Sequence, residues 1–395
     1  MLRLIATSMF VCGFCLEAQS QSAITSPTPT GRYAVGRKQI TWTDSARRDP
    51  VDTTRFREVT GWIWYPARKS SHDSVEHSLP GDWQSKRLES LRVKFGPDLA
   101  TAMQSFTVRS HTNAPLARGD KRFPVVLFIP GLSWLASDYS VLVEDLASNG
   151  YIVVGISPTG FSDPVMFPDG RVIPRTLGMG EKIGTEQSYV HDDAAFALRQ
   201  IERLDAGFFH GRVDLAHIGA FGHSLGGTAA LVLANHEPTV RAAINIDGDA
   251  MGVVREVRPA QPLLLISSES PTIDEAPQNT AAHMELVRAG LERSEQRRTG
   301  EWNDISSKSI FARRIRVLGT HHLNFEDAAL GSGVLTTRES RWMKFGSVDP
   351  REALVTLNRI VRTFFDKAFA PQQTTKTLSD SSLEFAGTRL ESAGR

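Results

Sequence analysis

The run Gly222-His223-Ser224-Leu225-Gly226 sets a serine between two glycines, directly after the apolar stretch 217–221 and directly before the apolar, helix-compatible stretch 225–234. A serine on a sharp strand-to-helix turn has its hydroxyl pushed out of the backbone, and a side chain two positions to either side would strike the neighbouring strand or helix. The following helix brings free amides and a positive dipole end to the place where negative charge would develop. The same string without its context also fits a glycine-rich helix cap. The strand before it and the helix after it favour a nucleophile for acyl transfer, with Ser224 as the attacking residue.

A serine hydroxyl is a weak nucleophile at neutral pH, so a base must take its proton and a carboxylate must orient that base. With the serine first in chain order, the base must come from His236, His283, His321 or His322. His236 ends the helix that leaves the turn, and His283 lies in a charged stretch, so both read as surface residues. His321 and His322 follow the apolar segment 315–318 through Gly319-Thr320, where a strand-end loop belongs. Neighbours on an extended loop point opposite ways, so only one of the pair can face the serine, and periodicity does not choose between them. For the acid, Asp247 and Asp249 stand just past the strand-like 242–246, and Glu269 stands past 262–266.

Acyl transfer also needs two backbone amides aimed at the developing oxyanion. The residue after the serine, Leu225, supplies one. The loop Pro130-Gly131-Leu132-Ser133, which follows an early apolar strand, is the expected source of the other, through Leu132. Asp247-Gly248-Asp249 and His191-Asp192-Asp193 offer metal-binding atoms but no metalloprotease or calcium-loop spacing, and nothing in the pattern calls for a metal or a cofactor.

These residues need a scaffold that brings several strand ends to one edge. Short continuous apolar runs at 59–65, 123–129, 151–156, 217–221, 242–246, 262–266 and 315–318 alternate with amphipathic stretches at 137–148, 187–204, 225–234 and 350–368. That alternation predicts an α/β fold: a mostly parallel sheet buried on both faces by helices. Residues 163–184 and 271–309 fit the alternation poorly and follow predicted strand ends, so they are read as insertions that form lids or pocket walls. The folded domain is expected over 57–370, after a Ser-, Thr- and Pro-rich leader over 21–56 and before a polar tail over 371–395.

The chain has 395 residues, 45 Lys+Arg against 44 Asp+Glu, and 41% hydrophobic residues. This excludes a disordered or collagen-like chain, and the near-zero balance offers no field for nucleic acid. Recognition must come from a pocket for a small molecule, and no obligate protein partner is implied. Met1 to Arg3 open a short positive region, residues 4–16 are mostly apolar, and Ala18-Gln19-Ser20 is a small-x-small cleavage pattern. The expectation is an export signal over 1–20 and a periplasmic or secreted mature protein. Both cysteines, Cys12 and Cys15, lie inside it, so the mature chain would carry neither disulfide nor thiol chemistry.

In order along the chain, Pro27-Thr28-Pro29-Thr30-Gly31, Ile63-Trp64-Tyr65-Pro66, Pro130-Gly131-Leu132, Asp145-Leu146-Ala147-Ser148-Asn149-Gly150, the serine motif running on to Gly227, the stretch from Pro262 to Glu269, and His322-Leu323-Asn324-Phe325 resemble the plasma-type platelet-activating factor acetylhydrolases, secreted α/β hydrolases. The resemblance implies an α/β-hydrolase fold, a catalytic set of Ser224, Asp247 and His322, and oxyanion donors on Leu132 and Leu225. It also implies hydrolysis of the sn-2 ester of phospholipids with short or oxidised acyl chains, with transient contact at a lipid surface. Two departures touch the substrate more than the mechanism. Pro130 stands where the family has His, and Ser157-Pro158-Thr159-Gly160 replaces a more charged sequence.

Overall fold

The computed structural model describes residues 23–69, 75–176, 183–249, 261–269, 271, 281–308, 312–342, 344–370 and 383–391. The expected export signal over 1–20, both cysteines and most of the polar tail lie outside the described residues. Twelve strands and eight α-helices are described. The strands are β1 (Ala34–Arg48), β2 (Phe56–Ala67), β3 (His111–Thr112), β4 (Phe123–Ile129), β5 (Ile152–Pro158), β6 (Val165–Met166), β7 (Val172–Ile173), β8 (Val213–His223), β9 (Val240–Ile246), β10 (Leu263–Ser268), β11 (Ala312–Val317) and β12 (Thr388–Glu391). The helices are α1 (Gly81–Phe95), α2 (Pro97–Gln104), α3 (Ser140–Ser148), α4 (Ile183–Ala206), α5 (Leu225–His236), α6 (Ala281–Lys308), α7 (Arg338–Arg341) and α8 (Pro350–Ala368).

Ten strands form one sheet in the order β12-β11-β10-β9-β8-β4-β5-β2-β1-β3. The six from β11 to β5 run parallel, and β12 and β2 border them antiparallel. Alternation along each strand sorts the side chains into two cores. Val126 and Phe128 of β4 face the side covered by α3 and α8, against Leu146 and Phe364. Val125, Leu127 and Ile129 face the side covered by α4 and α5, against Ile201 and Leu231. Burial on both faces is why these strands read as unbroken apolar runs. Helix α8 starts where its sequence says it should: Asp349 accepts from the Arg351 and Glu352 amides at 2.9 and 3.0 Å, and Pro350 takes the first helical position.

Three readings of the sequence change. The leader 21–56 contains β1, fifteen residues long and paired antiparallel along β2. Buried charges break its apolar period: Arg37 is closed off by Glu76, 39 residues away, and Asp44 by Arg47 on the same strand. The polar tail contains β12, a sheet edge held by ion pairs from Arg314 and Arg316 to Glu391. In the stretch 271–309, the described part is the long crossover helix α6 between β10 and β11. Its Trp302 and Ile305 are buried against the sheet, while its other face carries enough charge to hide the helical period. Helices α1 and α2 have no counterpart in the sequence reading.

Candidate active site

Because β4, β8, β9, β10 and β11 are parallel, their carboxyl ends open on one edge, where ligands bind in open α/β sheets. Ser224 sits between β8 and α5 with φ 55° and ψ −129°, a strained conformation for a side-chain-bearing residue. The surroundings hold it there. Its amide donates to the Ile246 carbonyl at the end of β9, 2.8 Å away. A Cβ on Gly226 would lie 2.2 Å from the Ile129 oxygen and 2.3 Å from the Pro130 oxygen, and one on Gly222 would lie 2.4 Å from Gly226 carbonyl atoms. Both flanking glycines are therefore required by close approach, as the sequence implied.

The Ser224 hydroxyl donates to His322 Nε2 at 3.1 Å, and His322 Nδ1 donates to Asp247 Oδ2 at 2.7 Å. His322 opens the short turn His322–Phe325 that follows β11, and Asp247 is the first residue past β9, with φ 52°. Asp247 is buried, and burial alone would raise its pKa. The His322 hydrogen bond and charge, the Arg298 guanidinium and the Ser268 amide outweigh that and hold the carboxyl well below the usual range. The contacts are specific: the Ser268 amide donates to Oδ1 and its hydroxyl to Oδ2, both at 2.8 Å, and Arg298 Nη1 stands 3.3 Å from Oδ1. A hydroxyl, an imidazole and an ionised carboxylate in this line can pass a proton from serine to imidazole while the carboxylate stabilises the imidazolium.

The alternatives are placed elsewhere. His321, buried beside His322, donates its amide to Asn324 Oδ1 and forms no part of the Ser224 line. Glu269 accepts from the Gly319 amide at 2.8 Å and so braces the turn that carries the histidine pair. Asp249 pairs with Arg297 at 2.5 Å at the rim of the cleft. His236 and His283 are exposed, on α5 and α6. Asp193, part of the second acidic cluster, is fully buried between Arg57 and Arg47 at 2.5 and 2.9 Å.

The loop after β4 lies directly over the serine. A Cβ on Gly131 would make tight contacts with Ser224 Cβ at 3.3 Å and His223 Nδ1 at 3.1 Å; the left-handed residue of this loop is Ser133, φ 68°. Among the described residues, the amides of Leu132 and Leu225 donate to no protein acceptor, which leaves both available beside the serine. Ser268, Arg298 and Tyr139 are the residues that sequence reasoning missed. Ser268 had a signal, its place at the end of a core strand. Arg298 had none, since its partner lies 51 residues away.

Ser224, Leu225 and His322 line a cleft of about 680 Å³, walled by Val287 and Leu291 of α6 and by Trp342. The size suits a small organic ligand, and the walls are mainly apolar. No described residue of 163–176 lines it, so the wall comes from the second of the two stretches read as insertions.

This sheet, with a serine on a strained turn facing a histidine and an aspartate at its carboxyl edge, defines an α/β hydrolase. The chain belongs to the family described as platelet-activating factor acetylhydrolase, isoform II, which it matches over residues 18–158 and 196–384. A probable 1-alkyl-2-acetylglycerophosphocholine esterase of Arthroderma benhamiae is 24% identical over 279 residues, which are 63% of this chain and 66% of that protein. Cutinase est2 of Thermobifida alba is 27% identical over 127 residues, 32% of this chain and 35% of the cutinase. The chain thus spans less than two thirds of the length of these relatives. A ferulic acid esterase from Streptomyces cinnamoneus shares the fold with a TM-score of 0.69 at 23% identity, over 94% of this chain and 100% of the esterase.

Proposed function

We propose that this protein is a serine carboxylic-ester hydrolase in which Ser224, His322 and Asp247 act as a triad and the Leu132 and Leu225 amides receive the oxyanion. The observation that carries the reading is the unbroken line from Ser224 Oγ through His322 to Asp247, 3.1 and 2.7 Å, opening on an apolar cleft. Ser224 Oγ attacks the ester carbonyl as its proton passes to His322 Nε2. The carbonyl π electrons move to oxygen, the tetrahedral centre collapses, and the leaving alcohol takes the proton from His322. Water then repeats the sequence and releases the acid. None of these steps uses a metal ion.

The substrate we propose is the sn-2 ester of a phospholipid with a short or oxidised acyl chain, of the 1-alkyl-2-acetylglycerophosphocholine type. Family membership and the Arthroderma relative support it. A second reading, a short-chain carboxylesterase or polyesterase with the same triad, is favoured by the cutinase relative and by Pro130 in the loop beside the serine. We also propose export, with cleavage near Ser20, on the strength of the N-terminal pattern. The substrate is tested by hydrolysis across sn-2 acetyl to sn-2 palmitoyl phosphatidylcholines, with a water-soluble butyrate ester for comparison. Faster turnover of the short-chain phospholipids is expected. Activity on the butyrate alone removes the phospholipid reading and leaves the triad standing.

A further inference from the structure

Tyr139 and Glu326 are fully buried polar residues next to the triad that acyl transfer, as written above, does not use. The Tyr139 hydroxyl lies 3.2 Å from the Gly131 amide and 2.9 Å from His223 Nδ1. The other ring nitrogen of His223, Nε2, lies 3.1 Å from the backbone carbonyl of His322, and the two imidazole centroids are 4.6 Å apart with the rings tilted by 36°. Glu326 Oε1 is 3.4 Å from both the Tyr139 oxygen and His223 Nδ1.

The protons in this cluster can be assigned by elimination. A carbonyl only accepts, so His223 carries its proton on Nε2 and donates to His322. His223 Nδ1 is then an acceptor, and the single proton of Tyr139 goes to it. The Tyr139 oxygen accepts from the Gly131 amide, and Glu326 Oε1, 3.4 Å away, is a second and more distant acceptor for the same hydroxyl proton. Burial agrees: with His322 nearby it pushes His223 down to about 3, so the ring is neutral with one proton, and it raises the Glu326 carboxyl well above the usual range. The bonds then run one way, from the Gly131 amide through Tyr139 and His223 to the His322 backbone.

We propose that Tyr139 is a positioning residue for acyl transfer, its hydroxyl locking the Gly131 peptide, and hence the Leu132 amide that follows, to the same imidazole that fixes the backbone of His322. This rests on the reading of Leu132 as an oxyanion donor. A single hydroxyl thereby ties together the three segments that must agree in position: the loop after β4, the serine turn and the histidine turn. A buried hydrogen bond that only stabilised the fold would not need to join these three.

Tyr139→Phe keeps the ring and removes the hydroxyl. Active sites are counted with a fluorophosphonate, so that kcat refers to competent enzyme, and each enzyme is assayed on a matched ester and thionoester, whose C=S sulfur fits an oxyanion site poorly. The expected result is a kcat lower by about 10- to 100-fold, less than the loss of a whole oxyanion donor, with KM little changed and the ester-over-thionoester preference reduced. A parent-like preference and kcat per active site would overturn the proposal. Should Tyr139→Phe fail to fold, His223→Phe removes the imidazole to which the Tyr139 hydroxyl is tied, and the same fall in preference is expected, with an unchanged ratio counting against the proposal. Ser224→Ala in the same assay keeps the two readings apart: residual hydrolysis there refutes the triad, whereas an inert Ser224→Ala beside an unaffected Tyr139→Phe refutes only the role of Tyr139.

Discussion

Asp247 reaches His322 at 2.7 Å although their strands are not neighbours: β10 lies between β9 and β11, and its last residue, Ser268, gives both its amide and its hydroxyl to the same carboxylate. The carboxylate therefore spans three strand ends, and its left-handed backbone, φ 52°, turns it across the middle one. Its position is fixed before any substrate arrives, which is what orienting a base requires.

Asp247→Asn keeps the shape and removes the acceptor that selects the Nδ1–H tautomer of His322. We expect kcat to fall by about 10⁴ at neutral pH with little change in KM, as measured by steady-state kinetics on a soluble ester. Stability carries a second signature. The folded pKa of Asp247 is depressed, so its contribution is present above the usual carboxylate value and is lost as pH falls through the folded one. The stability gap between parent and variant should thus narrow below about pH 4 in denaturant titrations.

Two glycines near the site should respond in opposite ways to alanine. At Gly226 the added methyl would meet backbone oxygens at 2.2 and 2.3 Å, so Gly226→Ala should lose both thermal stability and activity. At Gly290, on the cleft face of α6, nothing lies within 4 Å of an added Cβ. Gly290→Ala should stabilise the protein by up to about 1 kcal/mol through helix propensity while leaving short esters turning over. Gly290→Phe should lower rates on long acyl chains more than on acetyl, as read from an acyl-length profile.

Glu326 provides a test in pH. A carboxyl whose folded pKa is raised holds a proton that the unfolded chain has given up, so its contribution is complete below the usual carboxyl value and is lost as pH rises through the folded pKa. Glu326→Gln cannot titrate and keeps an oxygen that can accept from Tyr139. As pH rises above the usual carboxyl value the parent should lose stability relative to this variant in parallel denaturant titrations, and equal slopes would contradict a raised folded pKa for Glu326.

The parts of this molecule that were legible in the sequence share one property: their burial is apolar and their partners are close in the chain. The parallel strands and α8 show it, as does Ser224, whose glycines and flanking elements are all local. His322 was narrowed to a pair and Asp247 to three by position at strand ends, and the resemblance chose among them as the geometry does. Where a buried position is charged, as at Arg37 of β1 or Arg314 of β11, the period is broken and the partner, Glu76 or Glu391, lies tens of residues away. Tyr139 was hidden for the same reason. Its hydroxyl partners His223 and Glu326 are 84 and 187 residues on.

The central claim is that acyl transfer passes through Ser224, and the most direct measurement is the mass of the enzyme stopped during steady turnover of an sn-2 acetyl phospholipid or a soluble acetyl ester. The account predicts one acetyl group per chain, confined to the peptide that contains Ser224, absent from Ser224→Ala, and a loss of turnover in that variant on the order of 10⁶. An acetyl group on another residue, or undiminished hydrolysis by Ser224→Ala, would contradict it.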